Sequence, residues 1–246
     1  RPVKIFVTLL LVCVALCAML SVTNAQTVFF GYSERKVPIY SVATSEKKVA
    51  LTFDAAWGAD KTSKIIEILK KNEVGGTYFL GGFWSEKYQD KIKEIDGAGL
   101  DIGTHSNTHP KMSSLSPASQ ESELMVSSKL ITNITGKPVR FFRPPYGDYN
   151  DQLLMTAEKL NLQTIQWDVD SLDWKGLTAK QILTRVKSGV KNGSIILFHN
   201  NSDHILEALP LVIEFLKSQG YSMVNLSGLV YENNYTIDNN GVQKRV

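Results

Sequence analysis

Two of the four histidines in this 246-residue chain, His105 and His109, stand four residues apart in Gly103-Thr104-His105-Ser106-Asn107-Thr108-His109-Pro110. Imidazoles at i and i+4 share one side of a helical turn, and neutral imidazole is the commonest ligand of zinc and its first-row neighbours. The same spacing fits two hydrogen-bonded surface or capping histidines, so the pair by itself leaves both readings open. Further polar residues follow apolar runs: Asp54, the Arg143-Pro144-Pro145-Tyr146-Gly147 segment, Asp173-Trp174, and His199 after Leu197-Phe198. Each has an ordinary explanation when taken singly. Asp54 would cap a helix, Arg143 would be a surface cation, Trp174 would be core, and His199 would be a satisfied strand-end histidine.

The elements that must position these residues alternate. Residues 49–53, 77–80, the stretch entering Ile102, 139–142, 164–167, 194–198 and 222–224 read as buried strands. Helical spacing covers residues 63–71, 85–97, 117–134, 151–160, 178–190 and 204–219. Strand–helix units in series imply an α/β fold with a parallel sheet, and about seven units favour a single-domain, distorted (β/α)7-type barrel. Active groups of such barrels collect on loops after the carboxyl ends of strands. Five successive loops here carry the residues named above, which independent accidents would not arrange on one rim.

The chain has 27 basic and 24 acidic residues, a net charge of +3, and no clustered basic face that would indicate a nucleic-acid partner. Arg1 and Lys4 precede an apolar run from Ile5 to Leu20, and Thr23 and Ala25 form a small-x-small site before Gln26. This is a secretory pattern, with residues 1–25 as a cleaved signal peptide or an uncleaved membrane anchor. Both cysteines, Cys13 and Cys17, lie inside it, so an exported domain without disulfides is expected at the cell envelope. Residues 26–45 read as a linker, 46–230 as the catalytic domain, and 231–246 as a polar, frayed tail. Oligomeric state is not legible in the sequence.

The ordered segments Thr52-Phe53-Asp54-Ala55, His105-Ser106-x-x-His109, Arg143-Pro144-Pro145-Tyr146-Gly147, Asp173-Trp174 and Leu197-Phe198-His199 resemble the five motifs of the polysaccharide deacetylases of the NodB-homology class. The resemblance runs from about Lys47 to Val230. It implies removal of N-acetyl groups from an acetylated amino-sugar polymer such as peptidoglycan. His105 and His109 would hold a divalent metal, zinc or else cobalt or nickel, to polarise the acetyl carbonyl and acidify water. Asp54 would be the base, oriented by Arg143, and His199 the acid, oriented by Asp173. The Tyr146 N–H would serve the oxyanion, while Trp174 and Leu197 would wall a slot for the acetyl methyl. Trp57 and Tyr149 are either sugar-stacking surface or loop anchors.

One position departs from the family pattern. Ala55 stands where a second, metal-binding aspartate is usual, and in this the first motif resembles a sporulation-associated, PdaB-like branch of the family that lacks that aspartate. Two neutral imidazoles should hold a cation weakly. Three outcomes follow: an active deacetylase whose site is completed otherwise, with Asp60 the nearest carboxylate; an inactive, metal-poor homologue that binds cell-wall glycan; or an exported hydrolase of another amide or ester.

Overall fold

A computed structural model describes residues 35–246. The expected signal or anchor segment, residues 1–25, lies outside the described residues. Among those described, no helix is long and apolar enough to cross a membrane.

The chain runs β1 (Ser41–Val42), β2 (Lys48–Ala55), α1 (Thr62–Lys71), β3 (Thr77–Leu80), α2 (Gly82–Lys87), α3 (Gln89–Gly97) and β4 (Asp101–Thr104). It continues through α4 (Pro117–Thr135), β5 (Phe141–Phe142), α5 (Asp151–Lys159), β6 (Gln163–Thr164), β7 (Val169–Asp170) and α6 (Ala179–Gly189). It closes with β8 (Ile195–His199), α7 (Ile205–Ser218), β9 (Ser222–Val224), β10 (Tyr235–Ile237) and β11 (Val242–Arg245). Strands pair in parallel in the order β6-β5-β4-β3-β2-β8-β7, with β9 also on β2, and curl into an open, distorted (β/α)7 barrel.

β2 shows how sequence becomes position. Every residue from Val49 to Ala55 is buried, as a strand covered on both faces requires. Val49, Leu51 and Phe53 join the apolar layer shared with α1 and α7, whereas Ala50 packs with the inner cluster around Ile39, Ile165 and Ile195. The period of two therefore puts Thr52 and Asp54 on the interior side, Asp54 at the carboxyl end.

Helix boundaries follow local chemistry. The Ser116 hydroxyl caps α4 and Gly136, at φ +71°, ends it. The Thr178–Gln181 capping box opens α6. The single helix expected over residues 85–97 is broken at Tyr88, whose φ of −126° is not helical. The strand expected over residues 164–167 is instead two short strands, β6 and β7, and between them Ile165 bridges Ile39.

Two boundary expectations are corrected. Residues 39–42, placed in the linker, lie along that seam: Ile39 N–H donates to Thr164 O (3.0 Å), Gln166 N–H to Ile39 O (2.7 Å) and Val42 N–H to Gly193 O (2.9 Å). Residues 231–246, expected to fray, form the β10–β11 hairpin, and β11 pairs with β1. Gln243 is fully buried, its amide accepting from Tyr231 N–H (2.9 Å) and donating to Tyr231 O (2.8 Å). A polar segment orders here because its partner strand lies at the other end of the domain.

Candidate active site

Four strands deliver the site. Asp54 ends on β2 in register with His199 of β8, His105 follows Thr104 of β4, and Arg143 follows Phe142 of β5. All stand at carboxyl ends, where a barrel of this kind gathers its chemistry.

Arg143 is fully buried. Its Nη1 donates to Thr52 Oγ1 (2.8 Å) and Asp54 Oδ1 (2.9 Å), its Nη2 to Gln166 O (3.0 Å), and the guanidinium lies 4.2 Å from the centre of the Phe79 ring. A buried cation is tolerable on such terms because it is paired with a carboxylate and both terminal nitrogens find acceptors, although Nε is left without a partner. Burial pushes the Asp54 carboxyl up, but the charge and hydrogen bond of Arg143, with the charge of His199 beyond it, outweigh burial and hold the group below its ordinary value. Asp54 is thus an ionised carboxylate in a nearly dry site.

His105 Nδ1 lies 2.7 Å from Arg143 O. A carbonyl only accepts, so Nδ1 carries the proton and the Nε2 lone pair is free, 3.6 Å from Asp54 Oδ2. His109 comes beside it without the expected helical turn. Ser106 and His109 are left-handed (φ +65° and +61°), and His109 N–H donates to Ser106 Oγ (3.0 Å). The two rings meet edge to face at 4.9 Å. Burial lowers both imidazole pKa values, His109 to about 4, so both are neutral at physiological pH, the form that ligates a metal.

His109 Nδ1 is buried without a hydrogen-bond partner, in a ring 4.9 Å from that of His105. That orphaned atom suits a cation ligand. Among the described residues, however, no three His, Cys, Asp or Glu side chains form a metal-binding group. Ala55 is fully buried and Asp60 is exposed. The donors fit a cation held by two neutral imidazoles, and position 55 supplies no anionic ligand.

On the opposite side, Asp173 Oδ1 accepts from His199 Nδ1 (2.8 Å) and Oδ2 from His199 N–H (2.8 Å). Leu172, left-handed at φ +53°, aims Asp173 inward, and Asp170 Oδ1 accepts from Leu172 N–H (2.9 Å) to hold that turn. Burial lowers the His199 pKa, yet the hydrogen bond and charge of Asp173 prevail and raise it above the ordinary value.

Tyr146 is left-handed (φ +60°) and exposed on the rim, Trp174 is exposed, and Leu197 is buried in register with Thr52 and Asp170. Tyr149 packs beside the Met112–Leu153 cluster and is an anchor. Trp57 is 56% exposed and is not one.

Three supporting residues escaped the sequence reading. Thr52 is read as part of a strand, yet its hydroxyl accepts from Arg143. Gln166 joins two parts of the rim: its carbonyl takes Arg143 Nη2, and its Nε2 donates to Gly147 O (3.0 Å). Asn200 donates its N–H to Asp54 O (3.0 Å), and its amide ties Thr62 to Gly58. A polar residue directly after an apolar strand and a candidate histidine was the available signal for Asn200. Nothing local marked Gln166.

Comparison with known proteins agrees with this geometry. The family model for polysaccharide deacetylase matches residues 41–165. The peptidoglycan-N-acetylglucosamine deacetylase of Bacillus cereus is 31% identical over 204 residues, 81% of this chain and 74% of that protein. The crystal structure of a CE4 family pseudoenzyme from Bacillus anthracis superposes with a TM-score of 0.77 at 36% identity, covering 85% of this chain and 70% of that one. A mutant of that pseudoenzyme, described as having restored enzymatic activity, superposes with a TM-score of 0.77 at 37% identity, covering 85% and 73%.

Proposed function

The chain belongs to the polysaccharide deacetylase family, and from that premise we propose that it removes N-acetyl groups hydrolytically from an acetylated amino-sugar polymer, peptidoglycan foremost. The observation that carries this reading is one rim with two titratable groups pushed in opposite directions. Asp54 is held ionised beside Arg143, and His199 is held toward its protonated form by Asp173. Environments that separate two such groups assign the base and the acid.

Asp54 takes a proton as water attacks the acetyl carbonyl, with Arg143 fixing the carboxylate through Oδ1 and leaving Oδ2 toward the site. The tetrahedral oxyanion receives the Tyr146 N–H, in a turn steadied by Gln166. His199 Nε2 then gives its proton to the amine nitrogen as the C–N bond breaks, releasing acetate and a free amine. Trp174 and Leu197 border the acetyl methyl. His105 and His109 would hold a divalent cation, zinc, cobalt or nickel, which when bound polarises the carbonyl and acidifies water. The secretory pattern of residues 1–25 supports action outside the cytoplasm, with the domain either secreted or anchored to the envelope.

Ala55 and the likeness to a pseudoenzyme favour a second reading, a cell-wall glycan-binding homologue that no longer hydrolyses. Acetate release from peptidoglycan with added zinc, cobalt or nickel separates the two. The first reading expects release by the wild type and none from Asp54→Asn or His199→Ala. Glycan binding without release from any acetylated amino-sugar polymer refutes it and supports the second.

A further inference from the structure

We propose that Trp57 and Phe83 form an aromatic platform beside the reacting centre that binds a neighbouring sugar residue of the glycan, outside the position that is deacetylated. The proposal takes from the deacetylase reading only the nature of the polymer. The β2–α1 loop does not need Trp57 as an anchor. Gly58, left-handed at φ +63°, is pinned through its carbonyl by Trp84 Nε1 (2.6 Å) and Asn200 Nδ2 (3.0 Å), and Lys61 Nζ donates to Ser202 O (2.8 Å). With the backbone so fixed, the Trp57 indole still stands 56% exposed, forfeiting the burial that ordinarily takes tryptophan inside.

The exposed ring is not isolated. Phe83, 37% exposed, lies 6.1 Å away at an interplanar angle of 58°, so the two rings make an open corner. The histidine loop holds that corner to the centre. Gly82 N–H donates to Ser106 O (2.9 Å) and Phe83 N–H to Asn107 O (3.1 Å), while the Trp57 ring meets His109 edge to face at 4.7 Å. A contiguous apolar surface rimmed by polar groups marks a binding surface, and Asn107 and Asn201 supply amides at this rim. The ligand that fits must be apolar on a flat face and hydroxylated round its edge, which describes a pyranose. A free acetylated monosaccharide seated at the reacting centre would leave the corner empty.

The test is equilibrium binding of a linear N-acetylglucosamine tetramer and of the monomer, followed by tryptophan fluorescence and by calorimetry. Trp57→Ala and Phe83→Ala should each weaken tetramer binding about tenfold, which is ~1.4 kcal/mol, and leave the monomer unchanged. Trp57→Phe should recover part of the loss. Phe83→Ala removes a ring without touching His109, so a loss there cannot be traced to the metal-binding pair. Unchanged tetramer affinity in both alanine variants, or no tetramer binding by the wild type, overturns the proposal. Tetramer binding that depends on both rings in a protein releasing no acetate upholds the platform while refuting the hydrolase reading.

Discussion

Replacing Asp173 by asparagine removes the charge that sets His199 while changing little else in shape. The Asp173 side chain is fully buried and accepts two N–H groups of His199, both at 2.8 Å. An asparagine oxygen can take one of them, and its NH2 then confronts the other. The loss should cost ~1.5–3 kcal/mol, the worth of a hydrogen bond to a charged group. The His199 pKa, raised in the wild type, should fall in Asp173→Asn. Because the fold favours the protonated imidazole, its stabilising contribution is complete below the unfolded value of about 6.5 and disappears as pH rises through the raised folded value. The difference in unfolding free energy between wild type and variant should therefore be largest below the unfolded value of about 6.5 and shrink as pH rises through the raised folded value. Catalysis should fall by about 10²- to 10⁴-fold, with the alkaline limb of the rate profile moved to lower pH. NMR titration of the imidazoles reads the shift directly, and with four histidines the His199 signal is readily assigned. An unchanged His199 titration in Asp173→Asn would refute the assignment of Asp173 as its partner.

Ala55→Asp puts a carboxylate at a fully buried position. Without metal it should destabilise the protein by several kcal/mol, as an uncompensated buried charge does; added zinc should restore the melting temperature and bind more tightly than in the wild type, and equal zinc affinity in both proteins would show that another ligand completes the site. Gln166→Leu removes the donor to Gly147 O while keeping the backbone carbonyl that receives Arg143. It should lower kcat about tenfold with KM little changed, since the Tyr146 turn acts on the transition state, whereas a rise in KM alone would show that the turn serves ground-state binding.

Particular residues show which features the sequence could carry. β2 was legible because the apolar run of residues 49–53 read as a buried strand, and Asp54 stood out as the charge at its end; burial in fact continues through Ala55. The histidine pair was legible by type and spacing, but not its conformation. The rings converge through two left-handed residues, and nothing in a serine or histidine announces a positive φ. The seam was opaque for a different reason: Ile39 meets Gln166, and Val42 meets Gly193, through backbone hydrogen bonds across more than a hundred residues, which no local pattern encodes. The C-terminal hairpin failed for the same cause, since a short polar strand is recognisable only beside its partner. The roles of Thr52 and Gln166 depend on Arg143 folding inward, whereas an isolated arginine in a loop reads as a surface cation.

The central claim is that Asp54 and His199 form a working base and acid, and acetate release tests it most directly. Purified protein incubated with N-acetylated peptidoglycan and zinc, cobalt or nickel should liberate acetate in step with new free amines on the polymer, and Asp54→Asn, with the same fold and glycan affinity, should liberate none. Acetate release by Asp54→Asn at the wild-type rate, or glycan binding by the wild type without any release, would contradict the account.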